Sequence, residues 1–124
     1  MIHGARFMRE RAYTPYSKAP VGAAVLGASG NIFLGCTVEN ATLGLTISAV
    51  HGAVLQAVAA GERKVLACAV AVPGRPRPPS GPCCQVLVEF GDPSLAVAIV
   101  GKGKARQIHK LSDLIPEPFN KRWL

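Results

Sequence analysis

The alternation of apolar runs along the chain predicts an α/β sandwich built around one sheet. Three observations carry that reading. Small, partly β-branched runs at 21–28, 32–38, 65–72 and 95–100 have the length and composition of strands. Two longer apolar stretches, 48–60 and 81–90, have the length of helices and fall between the later strands. Strands interleaved with helices bury a sheet under helical layers.

Residues 1–12 read as a short helix carrying Phe7 and Met8 on a partly charged segment. Pro15 breaks it by biasing Thr14 away from helix. Residues 21–28 form a buried strand, Ser29-Gly30-Asn31 a turn, and 32–38 a second strand, so the pair is a hairpin. A polar loop, 39–44, leads to the first long helix, 48–60. Ser48 stands where its hydroxyl accepts a bond from a free first-turn amide. That helix is apolar all round, which predicts burial, partly against another copy of the chain. Gly61 ends it as a C′ glycine. Residues 65–72 lack polar alternation, as a strand covered on both faces does. The Pro/Arg-rich stretch 73–79 cannot be regular structure. Ser80 then caps a second helix, 81–90, in the same manner. Residues 95–100 are a fourth strand, Gly101-Lys102-Gly103 a turn, and 105–108 a candidate fifth strand. Ser112 caps a short turn, and Pro116 and Pro118 forbid a long terminal helix.

At 124 residues the chain, 1–124, is expected to be one domain with one core. Gly, Pro and charges interrupt every apolar run, so none is long enough to span a bilayer. The segment from Met1 to Arg11 lacks the apolar centre of a signal peptide, so a soluble cytoplasmic protein is expected. The cysteines are Cys36, Cys68, Cys83 and Cys84. Without a secretion signal a disulfide framework is not expected, and no pair has the C-x-x-C spacing of a zinc knuckle. The net charge is +7, with Lys102, Lys104, Arg106, Lys110, Lys121 and Arg122 clustered late and Arg75 and Arg77 adding to it. No basic-aromatic interleaving accompanies it, so it reads as a solvated face, and neither nucleic acid nor membrane is an expected partner.

The two helix starts, Thr46 to His51 and Pro79 to Gln85, organise the rest. Helix N-termini facing one point make a region of positive potential suited to an anion or a developing oxyanion. Zinc-dependent nucleobase deaminases keep their (H/C)-x-E and P-C-x-x-C signatures at two such places. Here those places read Ser48-Ala49-Val50 and Pro79-Ser80-Gly81-Pro82-Cys83.

With those residues in view, the chain resembles the small tetrameric cytidine deaminases over nearly its whole length. Ala12-Tyr13-Thr14-Pro15-Tyr16-Ser17 looks like the family's opening A-Y-x-P-Y-S, and Val21-Gly22-Ala23-Ala24 its first strand. Val38-Glu39-Asn40-Ala41 and Gly44-Leu45-Thr46-Ile47 are similar to the approach to its catalytic helix. Gly61-Glu62-Arg63-Lys64 follows that helix, and Gln85-Val86-Leu87 with Glu89-Phe90 resembles the second active-site helix. Leu111 to Phe119, with Asp113-Leu114-Ile115-Pro116, looks like the closing L-x-x-L-L-P-x-x-F. The resemblance implies a three-layer sandwich with a mixed sheet of about five strands, and a homotetramer.

The departures fall where that family keeps its chemistry. Its first two zinc cysteines align with Ser48 and Ser80, its catalytic Glu with Val50, and only the third cysteine is kept, as Cys83. Its pocket Phe aligns with Ala19, its sugar-holding Asn with Thr37, and two arginines with His51 and Cys84, while Glu39 survives. A neutral hydroxyl is a poor zinc ligand, and Val50 cannot move a proton. No metal and no cofactor are therefore expected.

What remains is polar. Cys83 lies in a first helical turn, where the dipole favours thiolate, and His51 is one turn along from Ser48. The pair reads either as nucleophile and base or as a small buried residue beside a satisfied neighbour. Glu39 reads as a ligand-binding carboxylate or as a loop-bonding one. The candidate catalytic groups are Cys83, His51 and Glu39; the candidate ligand-binding set is Glu39, Thr37, Ser48, Ala49, Ser80 and Ala19. The expected function is a repurposed, metal-independent enzyme of small-molecule biosynthesis. Its substrate would be small and polar, nucleoside-like or a specialised metabolite, and its chemistry proton transfer, cyclisation, isomerisation, lyase or hydrolytic. The rival is a non-catalytic pseudo-deaminase that holds a small ligand or regulates a partner subunit.

Overall fold

The computed structural model describes every residue, Met1–Leu124. Five strands form one mixed sheet: β1 (Gly22–Gly27), β2 (Ile32–Cys36), β3 (Val65–Ala71), β4 (Ala96–Val100) and β5 (Arg106–Lys110), in the spatial order β2-β1-β3-β4-β5. Only β3 and β4 run parallel, and they are joined through α3 (Gly81–Phe90). The other neighbours are antiparallel.

Side-chain alternation along the strands divides the interior into two layers. Ala23 and Val25 of β1 and Cys68 and Val70 of β3 join the larger core. The same core holds Ala49, Val50, Ala53, Val54 and Ala57 of α2 (Ala49–Ala59), and Cys84 and Leu87 of α3. The opposite face presents Ala24, Ala69, Ala71 and Val100, against which α1 (Ile2–Arg9) sets Ala5. Alanine on that face lets the α1 backbone approach closely. Gly22 is required there, because a Cβ would run into the Ala5 carbonyl and the Arg9 amide. Gly35 on β2 plays the same part for α2, where a Cβ would meet the Ala49 carbonyl and the Ala53 amide.

Several boundaries differ from expectation for identifiable reasons. The first helix stops at Arg9, and 10–12 turn toward Tyr13. The second strand leaves the ladder at Cys36; Val38 instead bridges Tyr13 on one side and Ile47 on the other. The fifth strand is longer than 105–108, reaching Lys110, because each of its residues pairs with β4. Ser112 lies inside a one-turn helix, α4 (Leu111–Leu114), whose N-cap is Lys110. Within the single chain the helix 48–60 buries one face and leaves Leu55 and Gln56 exposed, so the burial expected against another copy of the chain concerns that open face. No helix is long and apolar enough to cross a membrane.

Candidate functional site

Both long helices begin at the same end of the sheet. α2 starts after the Val38–Ile47 bridge, and α3 starts after the 72–80 loop that leaves β3. Their first turns meet at a cavity of about 350 Å³. That volume is at the low end of the small-molecule range of roughly 300–1,000 Å³. Its walls combine Thr46, Ser48, Ala49 and Val50 with Ser80 and Cys83, closed by Val21, Thr37, Val70 and Val72 and by Arg77, Pro78 and Pro79. A cavity of about 400 Å³ lies elsewhere, between the end of α3 and 112–122. Its walls include Ser112 and Lys121 but no thiol and neither long-helix N-terminus, so the smaller cavity is the better candidate.

The two caps differ in detail. Ser48 accepts a bond from the His51 amide at 3.2 Å, as a capping serine does. Ser80 occupies the same position on α3 but makes no side-chain cap. Its hydroxyl instead donates to Cys83 Sγ at 3.2 Å. Cys83 is 8% exposed, so its sulfur edges the cavity and is shielded elsewhere by the core. The deeper thiols behave as core atoms. Burial, with Cys83 and Cys84 close by, pushes the Cys68 thiol from its ordinary 9.0 up to about 12. Burial, then the neighbouring Cys83, pushes Cys84 up as well.

Of the candidates read from sequence, the structure brings Thr37, Ser48, Ala49, Ser80 and Cys83 to this cavity. Ala19, Glu39 and His51 are not among its walls. The His51 amide bonds Ser48, its ring has no hydrogen-bond partner, and the sulfur of Cys83 is bonded by Ser80. Glu39 Oε1 accepts from the Tyr16 and Ser17 amides at 3.0 and 3.1 Å. Bonding from the Ser17 side chain, then those amides and Lys18, holds its carboxyl below the ordinary carboxylate range, against a smaller opposing effect of burial. The carboxylate therefore ties the 13–17 loop to the Val38 bridge. Sequence reasoning missed Thr46, placed by the Thr46-Ile47 approach to the cap, and Arg77. The signal for Arg77 was its setting: prolines at 76, 78 and 79 restrict the backbone around it, three residues before the α3 cap. No group of three or more His, Cys, Asp or Glu side chains is arranged to hold a metal ion.

Residues 1–99 match the family described as the cytidine and deoxycytidylate deaminase zinc-binding region. The chain is 38% identical to a cytidine deaminase of Sporosarcina psychrophila over 123 residues, 98% of this chain and 90% of that protein. It is 41% identical to a cytidine deaminase of Halalkalibacterium halodurans over 121 residues, 96% and 91% of the two chains. The crystal structure of cytidine deaminase from Burkholderia pseudomallei superposes with a TM-score of 0.90 at 40% identity, covering 95% of each chain.

These likenesses correct the expected function. A repurposed, metal-independent biosynthetic enzyme, and its pseudo-deaminase rival, were inferred from a few wall positions. Those positions say which atoms are present, not that other chemistry has taken over. Relatives sharing this much of the chain are named cytidine deaminase, and the matching family model describes a zinc-binding region, which overturns that reading. Toward a zinc ion the wall offers one thiol, Cys83, and the neutral hydroxyls of Ser48 and Ser80, with Val50 apolar between. This donor set does not fit a tightly held zinc ion, since hydroxyls compete poorly with thiolate and imidazole for zinc. The fold, the layered core and the cavity at the two helix starts, together with identity along nearly the full length, establish that the chain belongs to the cytidine deaminase family.

Proposed function

We propose that the cavity between α2 and α3 takes cytidine or a close pyrimidine nucleoside. The observation that carries the reading is the 40% identity at a TM-score of 0.90 to a protein named for that substrate. Ser48, Val50 and Ser80 stand where the family keeps Cys, Glu and Cys, while Cys83 and the Val38-Glu39-Asn40-Ala41 frame are retained. The hydroxyls of Thr37, Ser48 and Ser80 are the polar contacts available to a base or sugar, and Val50, Val70 and Val72 supply the apolar surface a pyrimidine ring packs on. Glu39 serves the site by holding the 13–17 loop beside it.

The same reading includes a homo-oligomer. Leu55 on the open face of α2 is 49% exposed, and Leu43 and Leu45, in the short turn before it, are 74% and 62% exposed. A second copy of the chain would cover such surface, and the family resemblance sets the number at four.

The test is titration calorimetry with cytidine, beside chromatographic measurement of uridine in the presence of added zinc. A saturable heat at one site per chain that is weakened by Thr37→Val supports the reading, and zinc-dependent uridine formation extends it to the relatives' reaction. Absence of both binding and uridine formation in folded protein removes it.

A further inference from the structure

Among the thirteen wall residues of the cavity, Arg77 is the one that carries a charge. It is an exposed residue of the 72–80 loop, with Pro76 before it and Pro78 after. One nitrogen, Nη1, donates to the Pro73 carbonyl at 3.2 Å, which anchors the side chain. A guanidinium has five N–H donors, so most remain free for a ligand. No carboxylate neutralises it. The molecule's one ion pair, Lys64 with Asp92 at 3.2 Å, lies elsewhere, and Glu39 is outside the wall and engaged by two amides. The first turns of α2 and α3 add potential of the same sign. An oxyanion is the group this wall complements, because a guanidinium fork pairs with phosphate or carboxylate through two parallel hydrogen bonds.

We infer that the ligand of this cavity carries a phosphate or carboxylate, and that Arg77 determines the preference for it. The inference rests on the nucleoside reading above and narrows it. The favoured ligand is an acidic pyrimidine nucleoside, one bearing an oxyanion on its sugar, rather than neutral cytidine.

The experiment compares dissociation constants for cytidine, cytidine 5′-phosphate and cytidine 5′-carboxylate, with inorganic phosphate as a fourth ligand. The proteins are wild type, Arg77→Gln and Arg75→Gln. Arg75 lies in the same loop but outside the wall, so its variant removes the same net charge without touching the cavity. At low salt at least one acid binds wild type about tenfold tighter than cytidine, and which one does identifies the oxyanion. The ratio falls toward one in Arg77→Gln, and falls in wild type as ionic strength rises. It persists in Arg75→Gln. Equal affinity for cytidine and both acids overturns the inference and leaves the nucleoside reading standing. An equal fall in both variants also overturns it, because the general +7 field then explains the preference. Inorganic phosphate binding as tightly as the nucleotide overturns it too, since the nucleoside then contributes nothing. If none of the four ligands binds folded protein, the nucleoside reading itself fails, and the inference fails with it.

Discussion

Replacing Cys68 with alanine should change how stability depends on pH, and the direction follows from the thiol's burial. Cys68 sits on β3 within the larger core, 1% exposed, and its thiol titrates near 12 rather than 9.0. The folded state therefore keeps the proton where the unfolded chain releases it. The stabilisation is complete below pH 9.0 and is lost as pH rises from there toward 12. The loss is about 1.4 kcal/mol per pH unit, and about 4 kcal/mol if the full interval is crossed. At pH 7 the smaller side chain of Cys68→Ala costs about 1–2 kcal/mol through lost packing. The variant has no thiol to ionise, so its stability lacks this alkaline slope. The two curves should meet at about pH 10, above which the alanine variant is the more stable. Urea unfolding followed by circular dichroism at half-unit steps from pH 8 to 10.5 measures both curves. Cys84, also pushed upward, is common to both proteins and cancels in the difference. Parallel curves over this range would refute the argument.

Other expectations follow from the same geometry. Gly35→Ala should destabilise the protein by about 3 kcal/mol in thermal or urea unfolding, because the new methyl meets α2 backbone rather than a side chain that can move aside. A small alkylating reagent, read by mass spectrometry under native conditions, should modify Cys83 at the cavity edge well before Cys84, which is adjacent in sequence but 2% exposed. In an NMR titration Glu39 should protonate below the ordinary carboxylate range; its hold on the Tyr16 and Ser17 amides, present above 4.5, should be lost as pH falls through that lowered value. Leu55→Glu should shift light-scattering mass toward the monomer without loss of helix signal, and an unchanged mass would exclude that face of α2 from the contact.

The sequence by itself determined the order and type of the elements, because strand and helix here follow local composition. The β-branched and small apolar runs, the Ser29-Gly30-Asn31 turn and the serine before each long helix all act within a few residues, and each long helix begins at the cap position read for it. The family was legible for a related reason: its motifs recur in order along the whole chain. What only the tertiary structure decided depends on residues far apart in sequence. The cavity draws Thr37, Ser48, Arg77 and Cys83 from four separate segments, and no local pattern says that the Pro-bounded loop after β3 folds Arg77 onto it. Glu39 shows the same limit. Its retained motif suggested a ligand contact, yet the bridge of Val38 to Tyr13 brings its carboxylate to the amides of Tyr16 and Ser17. The apolar composition of 48–60 predicts burial partly against another copy of the chain; within one chain a helix packed on one face of a sheet buries only the stripe that faces it, so Leu55 stays open to such a contact. Composition sets what a segment can become; the partner across the sheet or cavity decides which of its atoms meet the core, the ligand or water.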